Sequence, residues 1–284
     1  MSVNDPVWKV LIYDQLGQDI ISPLLKVNDL REQGVTVHMP LNSDRQPIPD
    51  VPAVYFLQPT AENIKRLAND MARNLYDSYY INFSYSIPRP LLEDLASATI
   101  AANSAAKISQ VYDQYLNYVC LESNLFSLQL ENSYRTINDP TSTDEGIDSL
   151  VDRIVASLFS VLVTMGVVPI IRCPRGNAAE RVAVKLDSRL RDYVMNSRAN
   201  LGDSSPQLNL SRPVLVLLDR SMDLATMLNH TWTYSTLVHD LLDMKLNRVV
   251  IMEDDKGQKK RKAFDIDVND FFWSKNAGNP FPQV

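Results

Sequence analysis

The densest hydrophobic pattern in the chain is an uninterrupted run of five aliphatic residues at 214–218. Such a run is typical of a strand whose two faces are both covered in a parallel sheet. Three charged residues follow closely, namely Asp219, Arg220 and Asp223. Apolar residues then recur at roughly helical intervals as far as Leu242. We therefore predict that the segment 212–243 forms a buried strand, a charged corner and a helix.

The first 130 residues alternate between short apolar runs and amphipathic segments. Strands are predicted at 8–14, 35–39, 53–57 and 79–84, with shorter strands near 118–121 and 125–128. Helices are predicted at 20–33, ended by Gly34, and at 60–75, capped by Thr60. A third helical region is predicted in the alanine-rich stretch 88–115. This alternation favours a mainly parallel sheet with helices on both faces.

A polar stretch at 131–145 is the predicted domain boundary. Beyond it, the pattern predicts a helix from about 144 to Gly166, a strand at 167–171, a helix at 178–199, a polar loop at 201–211 and a strand at 246–252. The acidic and basic run at 253–262 is predicted to be a solvated charged loop, although its KKRK is also the pattern of a nuclear localisation signal. The predicted fold class is α/β, with two successive mainly parallel sheets flanked by helices. The N-terminal domain is predicted at 1–130, and a second, incomplete domain at 131–284.

Composition narrows the possible partners. The net charge of -6 and the pI near 5.1 argue against nucleic acid or an anionic membrane as the main partner, because both require a basic face. The two cysteines, Cys120 and Cys173, are far apart in sequence and favour a reducing compartment. Neither they nor the three histidines form a metal-binding pattern, so we expect no metal and no cofactor.

One apolar stretch, 154–171, has no charged residue over 18 positions, which is the lower limit for a membrane span. Its helical stripe stops at Gly166 and a strand-like run follows, so we interpret it as a buried helix and a strand. The first ten residues lack the basic and apolar regions of a secretory signal. These features predict a soluble, cytoplasmic protein.

The charged corner has two interpretations. The carboxyl ends of parallel strands commonly hold ligands, so Asp219, Arg220 and His230 are candidates for an α/β hydrolase or a nucleotide-binding enzyme. Alternatively, Asp219 and Asp223 hold Arg220 and cap the next helix, which is a purely structural role. No known catalytic or nucleotide-binding motif occurs, and RGNAAE at 175–180 is only a weak phosphate-loop candidate with one glycine. The structural interpretation is therefore favoured.

Four segments carry a family resemblance: WKVLIYDQLGQDIISPLL, IPDVPAVYFLQPTAENI, VPIIRCPRGNAAERVAVKLDSRLRD and RPVLVLLDRSMDLATMLNHTWTYSTLVHDLLD. In order and spacing they resemble the SM proteins, the Sec-one/Munc-eighteen family of syntaxin-binding regulators of SNARE-mediated membrane fusion. The match extends over essentially the whole chain. The segments YYINF, IIRCPRG and HTWTY are similar to the Sly branch, which serves endoplasmic reticulum to Golgi transport with a syntaxin-five-type SNARE.

The resemblance implies a non-enzymatic regulator of vesicle docking and fusion whose first domain binds the N-terminal peptide of a syntaxin. The implied apolar pocket lies between two successive helices. By position its residues are Leu92, Leu95 and Ala96 on the first helix, Ile108 and Val111 on the second, Ile87 at the edge, and Asp113, which would meet a basic residue of the peptide. The residues themselves agree with a spare apolar stripe on the first helix, and leave open that both stripes are core. Asp219, Arg220 and Asp223 then have a structural role.

Family members are considerably longer than this chain. The resemblance implies that the additional part supplies a helical third domain and the rest of the second. It also implies binding to a syntaxin-five-type SNARE and its SNARE complex, with no role for nucleic acid. The implied location is the cytoplasm, peripheral on endoplasmic reticulum and Golgi membranes.

Overall fold

The computed structural model describes residues 7–200, 212–255, 258–266 and 270–284. The chain divides into two compact units. The first comprises the chain up to Tyr118 together with residues 159–166, and the second comprises the remainder. The predicted loop at 201–211 lies outside the described residues, and the predicted domain division at residue 130 stays a prediction.

The first unit is an α/β arrangement in which helices and strands alternate. Its elements are β1 (Lys9–Tyr13), α1 (Gln15–Ile21), α2 (Val27–Glu32), β2 (Val35–Pro40), β3 (Ala53–Leu57), α3 (Ala61–Ala72), β4 (Tyr79–Phe83), α4 (Arg89–Ala101) and β5 (Ile108–Asp113). The strand order is β2–β1–β3–β4–β5, and all four pairings are parallel. The Thr60 side chain caps α3 by accepting from the amide of Asn63, as predicted. This sheet confirms the α/β class.

A buried ion pair lies in the core of the first unit. Arg45, in the loop after β2, places Nη2 2.6 Å from Oδ2 of Asp70 on α3, and both side chains are only 4% exposed. The guanidinium also donates to the carbonyls of Pro40 and Leu41, at 2.9 Å each. The Tyr55 hydroxyl on β3 donates to the same carboxylate oxygen at 3.0 Å. A loop, a strand and a helix are therefore connected through a single carboxylate.

Three tyrosine rings, Tyr55, Tyr76 and Tyr79, pack against one another beside this ion pair, with ring centroids 6.0–6.4 Å apart. Burial raises the pKa of Tyr76 to about 12. Burial, together with the charge of Asp70, also raises the pKa of Tyr55 well above its usual range. The Tyr79 hydroxyl donates to the Asp70 carbonyl, whereas that of Tyr76 has no hydrogen-bond partner among the described residues. The three phenols therefore stay neutral in the folded unit.

The hydroxyl groups of Tyr55 and Tyr76 should contribute differently to the free energy of unfolding, and substitution by phenylalanine measures each contribution. Tyr55→Phe removes a hydrogen bond to a charged, buried carboxylate and should lower the free energy of unfolding by about 2 kcal/mol. Tyr76→Phe removes a buried hydroxyl without a partner, so its effect should be within about 0.5 kcal/mol of zero or stabilising. Urea denaturation of the two variants provides the comparison. Equal losses in both would contradict the assignment.

The second unit combines long helices with small sheets. Its elements are β6 (Val119–Glu122), β7 (Leu125–Ser127), α5 (Ser133–Asn138), α6 (Asp144–Met165), β8 (Ile170–Arg172), α7 (Ala178–Asn200), β9 (Val214–Val216), α8 (Tyr234–Leu241), β10 (Asp243–Lys245), β11 (Arg248–Asp255), β12 (Gln258–Asp265) and α9 (Phe271–Asn276), with the last turns of α6 belonging to the first unit. β8 and β9 pair in parallel, whereas β6–β7 and β10–β11–β12 are antiparallel. Within the described part of this unit, parallel pairing is confined to β8 and β9.

The long apolar helix predicted before Gly166 is α6. Gly166 follows its last residue with a φ of +64°, in the left-handed region that glycine adopts most easily, and this confirms the predicted stop. None of the helices in the described part of the chain is both long enough and apolar enough to cross a membrane.

Two helix predictions in the first unit are wrong. The region 88–115 is helical only to Ala101, because Asn103 has a φ of +55°, a short 3₁₀ turn follows, and the chain continues as β5. The predicted helix at 20–33 is divided into α1 and α2. Pro23 separates them, since it has no amide hydrogen with which to extend α1.

Three predictions in the second unit need correction. The strand at 214–216 is present, but Val214 and Val216 are more than half exposed, because β9 pairs only with β8 among the described strands.

The helix expected directly after the charged corner begins only at Tyr234, after two 3₁₀ turns. The charged run at 253–262 is predicted to be a loop, but its described residues, 253–255 and 258–262, belong to the antiparallel pair β11–β12. Opposite charges on facing strands explain this, as the 2.5 Å ion pair between Lys262 and Glu253 illustrates.

Candidate peptide-binding site

The inner side of α4 packs against the sheet. Leu91, Leu95 and Thr99 are spaced four residues apart and therefore share one face of the helix. Leu95 is only 2% exposed, and Leu91 packs against the same core. The buried Thr99 hydroxyl is satisfied by the Ala96 carbonyl at 2.9 Å. Leu95 is therefore a core residue in this structure, and its predicted contact with a peptide stays a prediction.

The outer stripe of α4, formed by Leu92, Ala96 and Ile100, begins one residue after the inner one. Leu92 is 41% exposed and Ile100 is 70% exposed, and Ala96 between them is also exposed. Successive members are four residues apart, so they form a continuous apolar row along the helix. In this row a small residue, Ala96, lies between two large ones. Two predicted pocket residues, Leu92 and Ala96, lie on this surface.

β5 lies at the edge of the sheet and supplies a second side of the site. Val111 is paired with Ile81 and Asp113 with Phe83. Because paired residues of neighbouring strands point to the same face, Val111 and Asp113 lie on the face that α4 covers, where Ile81 and Phe83 are buried. Val111 is 37% exposed. Ile108 shares this face but packs partly into the core.

Ile108 and Val111 were expected on a second helix, and this is wrong because both lie on β5. The pairing register passes from Ile108 with Tyr79 to Gln110 with Tyr80 and skips Ser109. This bulge puts two residues that are three apart on the same face of the strand. A spacing of three also places residues on one face of a helix, which is why the sequence pattern was misleading.

Asp113 fixes the loop that leads into α4. Its two carboxylate oxygens accept from the Ser86 hydroxyl at 3.0 Å and from the Ile87 amide at 3.2 Å. Ile87 packs partly against the core, so the loop is fixed at both its backbone and its side chain. The structure therefore shows Asp113 bound within the protein. Its predicted contact with a basic peptide residue stays a prediction.

The charged corner after β9 forms local hydrogen bonds. Asp219 accepts from the amide and the hydroxyl of Ser221, and these bonds lower the pKa of its carboxyl group, with a smaller contribution from the Ala178 amide at the start of α7. Asp223 accepts in the same way from Thr226, which lowers the pKa of that carboxyl group too. Both carboxylates are thus used as caps of short turns and of α7.

The candidate enzymatic residues make other contacts. His230 Nδ1 lies 2.9 Å from Asp240 on α8, and no ion pair between His230 and Asp219 is found among the described residues. In the candidate phosphate loop, the Gly176 amide donates a hydrogen bond to the Glu180 carboxylate at 2.7 Å, so a side chain of the protein already uses this amide. Within the described ranges, no three His, Cys, Asp or Glu side chains are grouped as metal ligands. The expected absence of a metal and a cofactor stays a prediction.

In a sheet of order β2–β1–β3–β4–β5, ligands usually bind between β1 and β3 at their carboxyl ends, where the strand order reverses. Here Asp14 occupies that position. One of its oxygens accepts from the Gly17 amide, and the other accepts from the Gln58 amide and the Asn63 side chain, each at 2.8 Å. Sequence reasoning did not identify this residue. The usual crevice is bridged by the protein's own groups, which leaves the outer stripe of α4 as the stronger candidate surface.

A profile of the Sec1 family matches residues 9–284. The chain belongs to the Sec1 family. This confirms the resemblance found in the sequence, and the α/β fold agrees with it.

Individual Sec1-family relatives show how close the match is. The chain is 51% identical to Sec1 family domain-containing protein 1 of Mus musculus, over 100% of its own length and 47% of that protein. It is also 51% identical to protein sly1 of Schizosaccharomyces pombe, over 99% of its length and 44% of that protein. The chain therefore spans about half the length of the curated relatives it matches.

One solved structure of a similar protein contains a bound peptide. The crystal structure of Sly1p in complex with an N-terminal peptide of Sed5p superposes with a TM-score of 0.84 at 43% sequence identity. The superposition covers 98% of this chain and 44% of Sly1p. Sly1p, a protein with this fold, thus binds an N-terminal peptide of Sed5p.

Proposed function

We propose that this chain binds the N-terminal peptide of a syntaxin-five-type SNARE on the outer stripe of α4 and Val111 of β5. In this role it regulates vesicle docking and fusion in endoplasmic reticulum to Golgi transport and catalyses no reaction. The observation that carries the proposal is an exposed apolar row on α4 beside an exposed edge strand. A relative with the same fold, Sly1p, has been solved with an N-terminal peptide of Sed5p.

The energetics of the surface suit a short peptide. One aromatic or aliphatic anchor over Ala96 would contribute about 2–3 kcal/mol by burying apolar area. A micromolar complex requires about 8 kcal/mol in total, so further apolar and polar contacts along the peptide must contribute. Polar groups are available at the start of α4, where Arg89 and Glu93 form an exposed ion pair.

The partners and location follow from the same proposal. Association with membranes would be peripheral, through the SNARE and its complex. The chain corresponds to about half of its relatives, so its action on an assembled SNARE complex is proposed only through the peptide contact.

A titration of the labelled N-terminal peptide of Sed5p with this chain tests the proposal. We expect an increase in fluorescence anisotropy with a Kd in the micromolar range or tighter, and none with a peptide of scrambled sequence. Circular dichroism on the same sample reports the fold. A folded chain that fails to bind the peptide would refute the proposed function.

A further inference from the structure

The outer stripe of α4 continues beyond the predicted pocket. Ile100 lies one turn past Ala96, about 6 Å further along the helix axis at a rise of 1.5 Å per residue. It is the most exposed large apolar residue of α4, at 70%. A large aliphatic side chain at this position gains little from the fold itself, because most of it stays exposed to solvent.

The chain segment around Ile100 carries no charge. No charged residue occurs in the twelve positions 95–106, and the exposed residues of this segment include Ala101, Ala105 and Ala106. The opposite end of α4 is different, since the exposed Arg89 and Glu93 form an ion pair of 2.7 Å there. Surface helices normally carry charges on their outer face, and depletion of charge in an exposed apolar patch is typical of an interface.

We infer that the peptide bound at α4 carries two apolar side chains, the first over Ala96 and the second against Ile100. This inference rests on the proposed function, since it assigns a second contact to the same ligand. The separation of about 6 Å suits residues two apart in an extended peptide or four apart in a helical one. The peptide's polar residues then lie toward Arg89 and Glu93. Ile100 is thus a specificity-determining residue that selects peptides with this spacing.

Two substitutions separate this contact from nonspecific loss of apolar surface. Ile100→Ser removes the second contact and leaves the inner side of α4 intact. Val184→Ser is the matched control, because Val184 is a similarly exposed aliphatic residue, at 64%, on helix α7. Anisotropy titrations with the labelled Sed5p N-terminal peptide, and thermal melts by circular dichroism, are performed on the unmodified chain and on both variants.

We expect Ile100→Ser to weaken peptide binding about tenfold and Val184→Ser to leave it unchanged, with equal melting temperatures. An alanine scan of the peptide should identify one apolar residue whose substitution has no further effect in Ile100→Ser. Tight binding by the unmodified chain that Ile100→Ser leaves unchanged would overturn the inference while the proposed function stands. No binding by the folded, unmodified chain would overturn both. Self-association that Ile100→Ser abolishes, with peptide affinity unaffected, would assign the stripe to a second copy and also overturn it.

Discussion

Replacing Asp70 with alanine is expected to lower the free energy of unfolding by about 3–5 kcal/mol. The substitution leaves the Arg45 guanidinium charged and buried, since its partner 2.6 Å away is gone and both side chains are 4% exposed. It also removes the acceptor of the Tyr55 hydroxyl. The guanidinium Nε is already buried without a partner among the described residues, so the remaining polar contacts cannot compensate.

Glu62→Ala provides the matched control for Asp70→Ala. Glu62 also pairs with an arginine on α3, Arg66, at 2.9 Å, but both side chains are well exposed. A pair of this kind contributes about 0.3–0.5 kcal/mol, so the control should unfold almost as the unmodified chain does. Urea denaturation followed by circular dichroism measures both. If Asp70→Ala proved as mild as Glu62→Ala, the ion pair would not be a major contributor to the stability of the first unit.

Leu92→Lys is expected to weaken binding of the Sed5p N-terminal peptide at least 100-fold, or about 2.7 kcal/mol. The change removes an apolar contact from the outer stripe and places an ammonium group where the ligand would exclude water. Because Leu92 is 41% exposed and lies outside the core, the fold should be retained. Anisotropy titration with the labelled peptide measures the loss, and circular dichroism checks the fold.

Val184→Lys is the control that separates this site from a general effect of added charge. Val184 is exposed on α7, so the same substitution there should leave peptide affinity within about twofold. Comparable weakening in both variants would indicate that net charge controls binding. Unchanged binding by a folded Leu92→Lys variant would place the peptide elsewhere on the chain.

Much of the first unit follows from local sequence pattern. Thr60 caps α3 and short apolar runs give β1, β3 and β4, because capping and strand patterns depend on neighbouring residues. The secondary structure of Ile108 and Val111, which were predicted to be helical, depends on residues that are distant in sequence. Ile108 and Val111 have the spacing of a helix, and only pairing with β4, together with the skipped Ser109, makes them part of a strand.

The same distinction applies to the candidate site and to the charged corner. The family resemblance predicts an apolar surface that includes Leu92, Leu95 and Ala96. Which of two adjacent stripes faces the core depends on how α4 packs, and the structure buries Leu95 while it leaves Leu92 and Ala96 exposed. Ile100 could have been found from its spacing of four with Ala96. For the run at 214–218, apolar content predicts a strand but not the number of strands beside it.

Because Ser109 is skipped in the pairing of β5 with β4, this strand should tolerate the deletion of that residue. A chain lacking Ser109 would continue without interruption from Ile108 to Gln110, opposite Tyr79 and Tyr80, and Val111 would keep its face. Loss of Tyr112 would instead turn Asp113 to the opposite face and release the loop that it holds. A deletion is therefore expected to be neutral at position 109 of this strand and disruptive at position 112, three residues later.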